Sequence, residues 1–162
     1  MDDKDSTKKF IGHKNQETGE IQPLPAHLEN VGRFAEAFAA AFGAGKAGRI
    51  AGTYHDIGKY AEPVRRRMET GQGRPYDHST AGAKELYQAG LFPEAVCVAG
   101  HHSGLLDGGS RVSSKYDGTF LGRIKKRSSR RYSRLPGLSA GFSQASGRSI
   151  DGRMRRNTKV GI

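Results

Sequence analysis

From residue 28 to residue 42 the large apolar side chains recur at steps of three and four. Leu28, Val31, Phe34, Ala35, Phe38 and Phe42 have the period of an amphipathic helix. Pro23-Leu24-Pro25 breaks regularity just before it, so the helix is expected to begin near His27, and Gly43-Ala44-Gly45 to end it. A second helix is expected from about residue 47 to residue 59. It carries Ile50, Ala51, Tyr54 and Ile57 on its apolar side and the pair His55-Asp56 near its end. A basic helical piece, Glu62 to Glu69, precedes the turn-rich loop Thr70-Gly71-Gln72-Gly73-Arg74-Pro75, which leads to Asp77-His78-Ser79. Asp77 or Ser79 is placed to cap the next helix, about Thr80 to Gln88, with Ala81, Leu86 and Tyr87. Pro93 opens the apolar segment Ala95-Val96-Cys97-Val98-Ala99, which ends at Gly100-His101-His102. Strand signals are nearly absent, so the expected fold class is all-α, a helical bundle.

The pattern changes near Lys125. Beyond it Ser, Gly, Lys and Arg crowd out large apolar residues and no helical or strand period survives. The 162 residues therefore divide into one domain, 1–125, and a basic Ser/Gly/Arg-rich tail, 126–162, expected to be disordered or irregular. Charge follows the same division. Residues 1–110 hold 13 Lys and Arg against 14 Asp and Glu, a balance of −1. Residues 111–162 hold 14 against 2, a balance of +12, which together make the formal +11 of the chain. In the tail, Arg130-Arg131-Tyr132-Ser133-Arg134 has the composition to contact phosphates and stack a base. A solvated tail, or sequence altered by truncation or a shifted reading frame, ranks ahead of a dedicated DNA-binding arm. The single Cys97 forms no internal disulfide and, between Val96 and Val98, is expected to be a buried thiol. No apolar run nears the roughly 20 residues that span a bilayer, and Met1-Asp2-Asp3-Lys4-Asp5 is too acidic for a secretory signal. A cytoplasmic protein with no membrane partner is expected.

The candidate chemistry lies in the histidines. Five of the six, His27, His55, His78, His101 and His102, fall at or near an end of an expected helix. Each alone reads as a cap or a partner of the helix dipole. Together with Asp56 they form a set that borderline transition metals prefer, neutral imidazoles plus a carboxylate. Adjacent residues on a helix point about 100° apart, so His55 and Asp56 suit two neighbouring ions, or a bridge, better than side-by-side chelation of one. In a two-metal site Asp56 is the natural bridging carboxylate. Lys59, three residues on, is placed either to pair with Asp56 or to face a substrate phosphate. Asp56 and Lys59 are thus the candidate catalytic residues.

The succession His27-Leu28, Ala51-Gly52-Thr53-Tyr54-His55-Asp56-Ile57-Gly58-Lys59, Asp77-His78-Ser79 and Gly100-His101-His102-Ser103-Gly104-Leu105 resembles the CRISPR-associated HD nuclease, the nuclease portion of the type I helicase-nuclease. The HDIGK element alone is common to all HD phosphohydrolases. The double histidine with Ser-Gly-Leu, and the Asp-His-Ser element, favour the nuclease. The resemblance spans about residues 10–125 and includes Ser114 to Phe120, similar to the family's insert after the double histidine. It implies an α-helical HD fold and two divalent transition-metal ions, with Mn, Fe, Co or Ni favoured and Mg or Zn as alternatives. His27, His55 and Asp56 would hold one ion, and Asp56, His78, His101 and His102 the other. It implies cleavage of the single-stranded DNA displaced by a guide-RNA surveillance complex. His13 matches an upstream family histidine that is not counted as a ligand.

Two departures qualify what is carried over. The family supplies a further metal-binding Asp from a later helix, whereas the only acidic residue after Asp117 is Asp151, in a Gly- and Arg-rich setting. No GxxxxGK[ST] phosphate loop occurs, so a helicase would come from another chain or from a missing C-terminal portion. The alternatives are an HD phosphohydrolase of nucleotides or phosphomonoesters, and an inactive truncated nuclease fragment.

Overall fold

The computed structural model describes residues 10–73 and 76–126. A short antiparallel hairpin opens it, β1 (Ile11–Lys14) and β2 (Ile21–Pro23), with His13 opposite Gln22 and Lys14 opposite Ile21. Asn15 forms the turn by accepting the Glu17 and Thr18 N–H groups on its side-chain oxygen. Six helices follow: α1 (Leu24–Ala40), α2 (Gly45–Tyr54), α3 (Glu62–Thr70), α4 (Ser79–Gln88), α5 (Phe92–Gly100) and α6 (Phe120–Ile124). A 3-10 turn, Ile57–Tyr60, lies between α2 and α3. The body is the expected helical bundle. The hairpin departs from an all-α reading, since strands of four and three residues are too short to show an alternating pattern.

One core cluster joins Leu24 and Leu28 of α1, Ile50 and Tyr54 of α2, Ile57, Leu86 of α4, Val98 of α5, and Phe120 and Ile124 of α6. α6 was not expected. Thr119 caps it by accepting the Gly122 N–H, and Phe120 stacks edge-on against Tyr87 and Phe92 with ring centroids 5.7 and 5.4 Å apart. The compact body therefore extends past the insert, and residues 127–162, with the basic run at 130–134, lie outside the described residues. No helix among the described residues is long and apolar enough to cross a membrane.

The α1–α2 contact shows why the sequence pattern misassigned a face. Gly52 of α2 sits so close to α1 that a Cβ there would lie 2.7 Å from the Val31 carbonyl oxygen and 2.8 Å from the Gly32 Cα. A Cβ on Gly48 would collide with the Ala35 carbonyl. Two backbones this close exclude phenylalanine between them, so α1 turns Leu24, Leu28, Gly32 and Ala39 inward. Phe34, Phe38 and Phe42 are left 65%, 75% and 76% exposed. Cys97 is corrected in the same way: α5 buries Ala95, Val98 and Ala99, and position 97 falls on the outer face, exposed.

This packing predicts an inversion of the usual size rule. Gly52→Val should destabilise the fold by about 1–3 kcal/mol, the cost of forcing bulk into a filled contact. Phe38→Ser should cost no more than about 0.5 kcal/mol, as for other exposed positions. Urea midpoints of the two variants check the order, and the reverse order would contradict the packing described.

Candidate metal centre

Each chemical residue stands where a helix starts or stops. His27 occupies the first turn of α1, His55 follows the last residue of α2, His78 immediately precedes α4, and His101-His102 follow α5. Helix ends leave backbone carbonyl and N–H groups unused, and the site consumes several of them. His55 Nδ1 donates to the Gly52 carbonyl at 2.7 Å and His101 Nδ1 to the Val98 carbonyl at 2.8 Å. His78 Nδ1 donates to the Tyr76 carbonyl at 3.2 Å, and His27 Nδ1 to Gln22 Oε1 at 3.1 Å.

A carbonyl oxygen only accepts, so these four contacts put the proton on Nδ1 and leave the Nε2 lone pair of each neutral ring free. All four lone pairs face one carboxylate. His55 and His27 place Nε2 3.1 and 3.2 Å from Asp56 Oδ2, while His78 and His101 place theirs 3.1 and 3.3 Å from Oδ1. His102 Nε2 lies 2.8 Å from that of His78. Asp56 is 3% exposed, and among the described residues its Oδ1 is the one buried side-chain polar atom with no properly directed hydrogen bond. A cluster of acceptors facing acceptors is repulsive until cations fill it. The two groups with metal-ligand geometry, His27, His55, Asp56 and Asp56, His78, His101, His102, are the two sets expected from the sequence. The donors fit divalent transition ions, with backbone carbonyls holding the imidazoles from behind.

Side-by-side placement of His55 and Asp56 in one group corrects the helical expectation. α2 stops at Tyr54, and Asp56, at φ −115° and ψ 14°, leaves the helical path, so the two side chains converge rather than diverge. The break is tied to Gly58: a Cβ there would collide with the His78 backbone, so this glycine lets the 3-10 turn close on the next ligand-bearing segment. Asp77 caps α4 behind His78, accepting from the Thr80 N–H at 3.1 Å and the Ser79 and Thr80 hydroxyls at 3.0 and 2.6 Å. Lys59 is not free in the cleft. Its ammonium lies 2.7 Å from Asp56 Oδ2 and donates to the Gly12 carbonyl at 2.7 Å, leaving the side chain 14% exposed. His13, on β1, joins neither group among the described residues. Gln22 and Gly12 touch the site although no sequence signal marks them.

The family model for the HD domain matches residues 26–136, well over half of the chain. No curated protein matches it.

Asp77 gives the pH-dependent prediction for this region. Burial would raise its carboxyl, but the Thr80 hydroxyl and N–H, the charge of Arg123 and the Ser79 hydroxyl hold it below the usual range. A depressed folded-state pKa contributes stability above the unfolded value near 3.9 and loses it as pH falls through the folded value. Asp77→Ala should therefore cost about 1–2 kcal/mol near neutral pH, as loss of a helix cap does, and progressively less below about pH 4. Denaturant titrations of wild type and variant across that range check it, and a cost that grows on acidification would contradict the capping role.

Proposed function

The chain belongs to the HD domain family, and on that premise we propose that it is a metal-dependent phosphodiesterase that cleaves single-stranded DNA in a type I CRISPR antiviral system. The observation that carries this reading is the pair of imidazole groups facing the two oxygens of one buried carboxylate, Asp56. HD domains with a His and Asp cluster of this kind are metal-dependent phosphohydrolases. The finer choice of DNA is supported by the Asp77-His78-Ser79 and His101-His102-Ser103-Gly104-Leu105 elements, which resemble the CRISPR-associated nuclease, and by the +12 balance of residues 111–162.

Two divalent ions, when bound, supply the charge that lowers the pKa of an attacking water and neutralises the phosphoryl oxygens as the bond breaks. The chain does the rest through position. Asp56 spans both groups and fixes their separation. The Gly52, Tyr76 and Val98 carbonyls lock three of the rings in one tautomer, so no reorientation is needed when substrate arrives. Lys59 orients the Oδ2 side of the carboxylate as a positioning residue. The strand would come from a target opened by a guide-RNA surveillance complex, with a helicase supplied by another chain or by a further C-terminal portion.

The experiment compares single-stranded DNA with nucleotides and small phosphomonoesters, using full-length chain stripped of metal and reloaded with Mn²⁺ or Ni²⁺. Single-stranded DNA should be cleaved, and Asp56→Ala should lower the rate by more than about a hundredfold, the upper end of the cost of losing a ligand's outer support alone. Cleavage that survives both the substitution and chelation would overturn the proposal. Turnover confined to the small phosphoesters would replace DNA with a nucleotide or phosphomonoester substrate.

A further inference from the structure

The two sides of Asp56 are not equivalent. Oδ1 faces the imidazoles of His78 and His101, with His102 beside His78 completing that group, and receives no directed hydrogen bond. Oδ2 faces two, those of His27 and His55, and no fourth donor joins that group among the described residues. Oδ2 also carries the Lys59 ammonium at 2.7 Å. That ammonium is held from the other side by the Gly12 carbonyl of β1, and β1 is in turn pressed against α1 at His27, where a Cβ on Gly12 would overlap the His27 Cβ. The hairpin thus fixes a positive charge at the oxygen that one of the two ions would use.

We propose that the two metal positions load in order, the Oδ1 position first and tightly, the Oδ2 position second and weakly, and that Lys59 sets the gap between them. This rests on the reading of the site as a metal centre. Two effects act together at Oδ2. Among the described residues three donors stand at the Oδ2 position against four at the Oδ1 position, a less complete shell that leaves the second ion more exchangeable. A divalent ion arriving at Oδ2 also meets a fixed unit charge at hydrogen-bonding distance, which opposes its entry whether the ammonium stays or is displaced. At Oδ1 no ammonium is hydrogen-bonded, so the first ion meets the Lys59 charge only at longer range, and there it relieves the unbonded carboxylate oxygen. In this arrangement Lys59 balances the buried carboxylate while the Oδ2 position is empty, and the hairpin, remote in sequence, regulates its occupancy.

Calorimetric titration of the metal-stripped full chain with Mn²⁺ alone tests this without reference to activity. Wild type should bind two ions in separate steps, the second weaker by about tenfold or more. Lys59→Met should strengthen the second step and leave the first in place, narrowing the gap to about threefold or less, while Lys59→Arg, which restores the charge, should keep it wide. His102→Ala, at an exposed position, should weaken the first step and spare the second. Two ions entering wild type in one step of equal affinity would overturn the ordering, as would a second step unmoved in Lys59→Met. Failure to bind any Mn²⁺ is distinguishable from both and would overturn the metal centre itself.

Discussion

A buried carboxylate surrounded by nitrogen lone pairs is the constraint on which the rest of this structure depends. Asp56 is nearly inaccessible, and four histidines turn Nε2 toward it because each Nδ1 is already committed to an acceptor behind it. With each ring neutral and protonated on Nδ1, hydrogen bonding satisfies only part of such a cluster. One ammonium, from Lys59, relieves the Oδ2 side. The Oδ1 side has no equivalent, and that asymmetry is the most specific property of the site.

The architecture is arranged so that four helix ends, the starts of α1 and α4 and the stops of α2 and α5, meet at the site. A helix interior cannot supply these contacts, because its carbonyls are already bonded four residues on, whereas Gly52 and Val98 lie in final turns and have carbonyls to give. Close approach does the remaining work. Gly52 lets α2 lie on α1, and Gly58 lets the turn after Asp56 touch the segment bearing His78. Large core residues flank the ligands themselves, Tyr54 before His55 and Ile57 after Asp56, while Phe34 and Phe38 stand exposed on α1 and Phe120, Tyr87 and Phe92 form an aromatic cluster of their own.

Much of the site was legible in the sequence because ligands at helix ends sit beside the turn and cap residues that mark those ends. His27 after Pro23 and Pro25, His78 after Asp77, and His101-His102 after a Pro-initiated apolar segment were all placed by punctuation. What periodicity alone could not supply was which face of a helix is covered. Phe34, Phe38 and Phe42 make a stronger apolar stripe than Gly32, Ala35 and Ala39, yet the weaker one is packed, because glycine and alanine mark close backbone contact rather than hydrophobic area. The hairpin was invisible for a different reason: seven strand residues, one of them Pro23, hold no alternating run, and the Gly12 carbonyl that anchors Lys59 is a backbone atom with no side-chain signature. The break at Asp56 was hidden because the apolar spacing of Tyr54, Ile57 and Tyr60 continues across it even though the helix does not.

The central claim is that the acceptors around Asp56 are arranged for cations on both of its oxygens. Crystals of the full chain grown with Mn²⁺ and measured at the manganese absorption edge test it directly, since anomalous scattering locates the ions independently of the protein atoms. The account predicts two peaks flanking the Asp56 carboxylate, roughly 3.5–4 Å apart as in other two-metal centres, the stronger against His78, His101 and His102 and the weaker against His27 and His55. A map with no peak within coordinating distance of Asp56, or with a single ion held only by His27 and His55, would contradict it.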